Sequence, residues 1–191
     1  MKKKKMLIAL LVTIIVLVLV QVFASRTMHF EEDVVVEKSI DDAWEVLGNQ
    51  FTEAHLWSKN FKTSEPGGNP KLPGLAYLHR ATTTDKGVNW QELDTYNPTD
   101  YSLSYHVSKG VPPIAKSLKG EWSLTKMGDE QSRLKIHFIF ESKGILGLVM
   151  SPIIAKKLEN ASKEIGEEFK YYVENGKPHP RKVEDMKNPS K

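Results

Sequence analysis

The chain has 191 residues, 40% apolar and 27% charged, an ordinary globular composition and enough length for one domain with a full core. It has no cysteine, which excludes disulfides, thiolate metal sites, a thiol nucleophile and a lipidated lipoprotein N-terminus. The net charge of +3 belongs to the N-terminus: residues 1–27 hold five basic residues and no acidic one, leaving 22 basic against 24 acidic, so no basic stripe points to nucleic acid.

The first 27 residues read as a separate unit. Lys2 to Lys5 form a basic block, and Met6 to Ala24 is apolar except for Thr13 and Gln21. Nineteen helical residues span about 28 Å, close to the hydrocarbon core of a bilayer. The same stretch also reads as a signal peptide cleaved after Ala24, because Val22 and Ala24 suit a signal peptidase. Either reading exports the domain beyond it. The four lysines place the N-terminus in the cytoplasm and the domain outside it, tethered by residues 6–24 or, after cleavage, soluble.

The folded part opens with a strand over Met28–Glu37 ending in Val34, Val35 and Val36. Ser39 then suits an N-cap, and Asp41 and Asp42 suit a first helical turn. Ile40, Ala43, Trp44 and Leu47 make a one-sided apolar stripe, and Gly48 reads as the stop. A second short helix fits Phe51–Trp57. Six strand-like segments come next: Phe61–Glu65, Leu75–Thr84, Val88–Tyr96, Tyr101–Ser108, Ser117–Lys126 and Arg133–Ser142. Their short, Gly- and Pro-rich connections predict an antiparallel meander. The period then changes. Ser151-Pro152 reads as a helix start, and Ile154, Leu158, Ala161, Ile165, Phe169 and Tyr172 recur at spacings of three and four up to Gly176. Residues 177–191 are charged, carry three prolines and are expected to be disordered.

The order strand, two short helices, five or six antiparallel strands and one long helix is an α+β arrangement. Its long helix must cover the apolar face of a curved sheet. Three stretches carry a family resemblance: VVVEKSIDDAWEVL, VNWQELDTYNPTDYSLSYHV and SLKGEWSLTKMGDEQSRLKIHFIFESKGILG. With them the chain resembles the SRPBCC superfamily, the START/Bet v 1-like helix-grip proteins, in the branch labelled polyketide cyclase/dehydrase and lipid transport. The resemblance covers about residues 28–175. It implies a hydrophobic ligand cavity between sheet and helix, and no fixed catalytic set. The expected division is an N-terminal anchor or signal at 1–27, a helix-grip domain at 28–176 and a tail at 177–191.

The chemistry-bearing residues give no enzyme signature. His79, His106 and His137 fall on different strands outside any tight metal-ligand spacing, so no metal site is expected, and no motif calls for a cofactor. No GxSxG or phosphate-binding loop is present. Trp90, Glu92, Asp94 and Tyr96 share a face by alternation. If that face is concave, Glu92 or Asp94 is the candidate acid or base; otherwise it is a solvated face, with Arg80 a cross-strand partner for one carboxylate. The candidate cavity residues are Trp44, Trp57, Trp90, Tyr105, Trp122, Phe138, Ala161 and Ile165, each of which also suits a plain core. The leading expectation is a membrane-tethered module binding a hydrophobic or amphipathic small molecule, a lipid among the candidates. The alternatives are a ligand-free interaction or stress-related module and a cyclase/dehydratase-like enzyme. Oligomeric state is left open.

Overall fold

The computed structural model describes residues 2–187, with the side chains of residues 16–23 outside the description. Its core is a seven-stranded antiparallel sheet in the order β1-β7-β6-β5-β4-β3-β2. The strands are β1 Thr27–Val36, β2 Thr63–Gly67, β3 His79–Thr84, β4 Gly87–Asn97, β5 Ser102–Lys109, β6 Ala115–Gly128 and β7 Gln131–Ser142. Helix α1 is Lys2–Phe23, α2 is Ile40–Trp44, α3 is Gly144–Asn175 and α4 is Pro180–Lys187.

The β1–α2 junction forms for local reasons. The Ser39 hydroxyl accepts from the Asp42 N–H at 3.1 Å, which caps α2, and Asp41 and Asp42 sit in its first turn. Ala43, Trp44 and Leu47 turn inward, as the stripe predicts. Gly48 does not stop the helix. The chain continues through a π turn, Glu45–Asn49, and a 3-10 turn, Phe51–Leu56. A side chain at Gly48 would come within 2.3 Å of the Trp44 ring, so this glycine serves packing. The strand expected over Leu75–Thr84 pairs only from His79, while Leu75 and Tyr77 pack on the core from a loop. Pro66 is tolerated because β2 is the free edge of the sheet.

Helix α3 begins two turns before the expected Ser151-Pro152 start. Gly144, at φ 68°, turns the chain out of β7, and its N–H donates to the Ala24 carbonyl at 2.7 Å. Pro152 then lies inside the helix on an exposed face, and the Ser151 hydroxyl donates to the Gly147 carbonyl at 2.9 Å. A proline inside a helix carries the same local signature as one at its first position, so the pattern alone misplaced the start. The helix ends as predicted, at a left-handed Gly176 whose N–H donates to the Tyr172 carbonyl at 2.8 Å.

The centre of α3 rests on β1 and β7. Gly166 makes this approach possible, since a side chain there would meet Val34 Cγ2 at 2.6 Å. Ile165 and Phe169 are buried beside it, and Trp57 meets the Phe169 ring edge-on at 5.6 Å.

The tail departs from the expected disorder. Residues 180–187 form α4, which docks through charge: Arg181 pairs with Glu167 and Glu164, and Lys182, buried, donates to the Phe61 carbonyl at 2.8 Å. Composition pointed to disorder because α4 offers little apolar surface; it is held by polar contacts. Residues 188–191 lie outside the described residues. The apolar stretch expected to cross a membrane does form a 22-residue helix, α1, but among the described residues no helix is long and apolar enough to cross a membrane.

Ile165→Asp places an unpaired carboxylate under the sheet and removes packing worth about 2–5 kcal/mol. Thermal melting should show a domain that is unfolded or lowered by at least that much, and a wild-type melt would contradict this packing. Glu168 is buried beside Lys59, whose N–H donates to it at 3.0 Å, and burial raises its carboxyl above the ordinary 4.5. The folded state therefore binds this proton more tightly than the unfolded state. Stability should fall as pH rises through 4.5 to the raised value. Denaturant titrations should show that slope in wild type and its loss in Glu168→Gln.

Candidate functional site

Because α3 sits over β1 and β7, the concave faces of β3, β4 and β5 are left partly uncovered. A cleft opens there. One part, of about 430 Å³, lies between Leu158, Ala161 and Ile165 of α3 and Leu118, Tyr105 and Phe138 of the sheet. A second, of about 370 Å³, continues toward the start of α3, between Met150, Ile154 and Leu158 on one side and Val107 and Phe140 on the other. The two share Thr84, Lys86, Asn89, Gln91, Leu118 and Leu158 and form one continuous cleft. Its α3 side and its floor are apolar, Thr84, Asn89 and Gln91 line it as well, and each part falls within the usual range of small-molecule sites, about 300–1,000 Å³. Lys59, Lys86, Asp85 and Asp185 stand at its mouth.

The inner end is polar. Gln91 and Tyr105 line it, and directly behind them Arg80 is 2% exposed. Arg80 Nε donates to Gln91 Oε1 at 2.8 Å and Nη1 donates to the Phe51 carbonyl at 2.6 Å. Its guanidinium carbon lies 4.0 Å from the Phe51 ring centre, 5.0 Å from Phe61 and 5.6 Å from Tyr105. Burial lowers its pKa to about 10, so it stays charged at neutral pH. Burial pushes the Tyr105 phenol up to about 12, keeping it protonated. Gly120 seats that ring: a side chain there would meet Tyr105 Cζ at 2.6 Å.

The predicted cavity residues divide. Tyr105, Phe138, Ala161 and Ile165 line the cleft together. Trp44, Trp57 and Trp122 are core instead. Trp44 packs on Tyr96 and Tyr101 at the closed end of the sheet, and Trp122 lies edge-on between Tyr105 and Phe138. Trp90 is on the opposite, convex face, stacked on His79 at 4.3 Å with Lys109 Nζ 3.4 Å from the ring centre.

The same alternation moves the candidate acid and base away. Gln91 and Leu93 pair with Val107 and Tyr105 and point inward, so Glu92 points outward to Lys71 Nζ at 2.9 Å. That lysine holds the Glu92 carboxyl below its ordinary value. Asp94 lies at a bulge on the outer face, 2.8 Å from His106 Nδ1. The bulge returns Tyr96 to the inner side, which splits the four residues expected to share a face. Arg80 is not a cross-strand partner of either carboxylate. His137 bonds to Glu121 and His29, each at 3.0 Å, and among the described residues no group of three His, Asp or Glu side chains is placed to hold a metal.

The sequence reading missed Gln91, Asn89 and Leu118 as cleft residues and misassigned Arg80. The signal for Leu118 was present in its alternation with Trp122. None existed for Arg80 and Gln91, since a polar side chain on a strand reads as solvent-facing.

No curated protein matches the chain. Solved structures do, at identities that show likeness of fold alone. Ara h 8.0201 matches with a TM-score of 0.61 at 16% identity, over 78% of this chain and 98% of its own. Norcoclaurine synthase from Thalictrum flavum matches at 0.60 and 12%, over 80% and 96%. Zhui aromatase/cyclase from Streptomyces sp. R1128 matches at 0.57 and 17%, over 79% and 98%. The model of the family described as polyketide cyclase/dehydrase and lipid transport matches residues 27–174, nearly all of the sheet and α3, and the chain belongs to that family.

Proposed function

We propose that the domain binds a hydrophobic or amphipathic small molecule in the cleft between α3 and strands β3 to β6, and that α1 tethers it to a membrane. The observation that carries the binding reading is the unfilled cleft itself. Its floor and walls carry Leu118, Phe138, Phe140, Leu158 and Ile165, apolar surface that an apolar ligand would remove from water.

Three features support the tether. Helix α1 is apolar after its lysine block. It leaves the domain at a fixed corner, where Gly144 N–H bonds to the Ala24 carbonyl and Arg26 and Ser142 bond to each other twice, both at 2.9 Å. Cleavage after Ala24 would remove the first of these contacts. At the same corner the opening turns of α3 expose Leu146 (60%), Val149 (68%) and Ile153 (51%). Lysines 143, 156 and 157 flank that face with no acidic residue between them, a pattern suited to an anionic lipid surface. The outer part of the cleft opens beside Ile153 and Lys157, so a ligand held in the bilayer would have a short path into it.

The ligand-free interaction module would use the same exposed face of α3 and gives no account of the cleft. The enzyme reading loses its two named residues, since Glu92 and Asp94 lie on the other side of the sheet.

An environment-sensitive naphthalene dye tests the binding reading. Wild type should bind it with enhanced fluorescence. Ala161→Trp should fill the cleft and weaken binding by about tenfold or more, equivalent to roughly 1.4 kcal/mol, while overpacking costs the fold about 1–3 kcal/mol. A folded Ala161→Trp protein that binds the dye like wild type would show that the cleft is not the site.

A further inference from the structure

We infer that the ligand is an acid: the cleft selects amphiphiles that carry a carboxylate head, received at its inner end by Gln91 and Tyr105 in front of the buried Arg80. This rests on the binding reading above and goes further by naming the head group.

The first argument is charge. A buried guanidinium is expensive unless an opposite charge offsets it. The partners of Arg80 among the described residues are an amide oxygen, a backbone carbonyl and aromatic rings; none is a carboxylate. A positive charge therefore stands in the interior without a counterion from the described residues.

The second is position. Phe61, Gln91 and Tyr105 all contact the guanidinium, and all three are walls of the larger part of the cleft. The charge sits one side chain behind the cleft surface, where it is screened less than a charge in open water.

The third is the direction of the hydrogen bonds. Arginine only donates, so Gln91 must turn its oxygen to Arg80 and its amide nitrogen away. That nitrogen gives one hydrogen to Asn89 Oδ1 at 3.2 Å and keeps a second. The Tyr105 ring lies beside the guanidinium, 5.6 Å from ring centre to guanidinium carbon, and its hydroxyl keeps a hydrogen to donate. Gln91 and Tyr105 thus offer donors to the cleft, and a carboxylate can accept both. An alcohol satisfies these donors less completely and brings no charge. At the mouth, Asp85 is already paired with Lys62 at 2.6 Å, and Lys86 is exposed. Asp185 stands at the mouth beside them.

The test uses the full chain in nanodiscs, with empty nanodiscs as the control for partitioning. Octanoate, octanol and octyl phosphate are titrated in competition with the dye at neutral pH. Octanoate should bind about tenfold tighter than octanol. In Arg80→Met that preference should vanish, with octanol affinity kept within about threefold. Should Arg80→Met fail to fold, Tyr105→Phe keeps the ring and removes one donor, and it should lower octanoate affinity selectively. Octanol binding as tightly as octanoate in wild type overturns the inference and leaves the binding reading standing. Octyl phosphate binding above octanoate overturns the carboxylate assignment. If none of the three displaces the dye, the acid inference falls, and the binding reading stands or falls on the Ala161→Trp result.

Discussion

Gly166 brings α3 so close to β1 that any side chain at this position would strike Val34. Most of the functional geometry depends on that contact. A helix pinned over β1 and β7 cannot also cover β3, β4 and β5, because a twisted seven-stranded sheet is wider than one helix. The α2 segment and its π and 3-10 turns close one end with Trp44, Phe51 and Trp57. At the other end a smaller cluster of Met28, Ala115 and Phe140 packs against Ile154 and Leu158 and leaves the cleft open beside it. The cleft is thus what remains when one long helix is docked off-centre, and Ala161, about one and a half turns before Gly166, is the small residue where the gap begins.

Arg80 is the second constraint. An apolar core would be cheaper there, so its presence sets a polar, donor-rich end on an otherwise apolar cavity. It also organises its surroundings. The guanidinium lies over Phe51, fixes the orientation of Gln91, and draws on Tyr105, which Gly120 seats in turn. A cleft with an apolar length and one polar end suits an amphiphile better than a plain hydrocarbon. A tether and an exposed apolar corner at Leu146 and Val149 would hold such a cleft where amphiphiles are concentrated.

Much of this was readable in the residues, for reasons that differ by element. The β1–α2 junction was legible because Ser39, the two aspartates and the Ala43-Trp44-Leu47 stripe act locally. The sheet was legible because β5 and β7 alternate cleanly, and the α3 stripe marked the face that carries Ala161 and Ile165. What failed was non-local. Whether Gln91 or Glu92 faces inward depends on pairing with β5 and on the bulge after Leu93, neither of which leaves a mark in β4 itself. Trp90 therefore went to the wrong face, and Arg80 was read as a surface partner. The π turn past Gly48 and the polar docking of α4 were missed likewise, since both answer to neighbours distant in sequence.

The central claim is that an apolar ligand enters between α3 and the sheet, and methyl NMR of the full chain during an octanoate titration tests it most directly. Saturable shifts are expected at the methyls of Leu118, Leu158, Ala161 and Ile165, with those of Leu47 and Leu103 at the closed end unmoved. Shifts confined to the exposed methyls of Leu146, Val149 and Ile153, or no saturable shift at all, would contradict it.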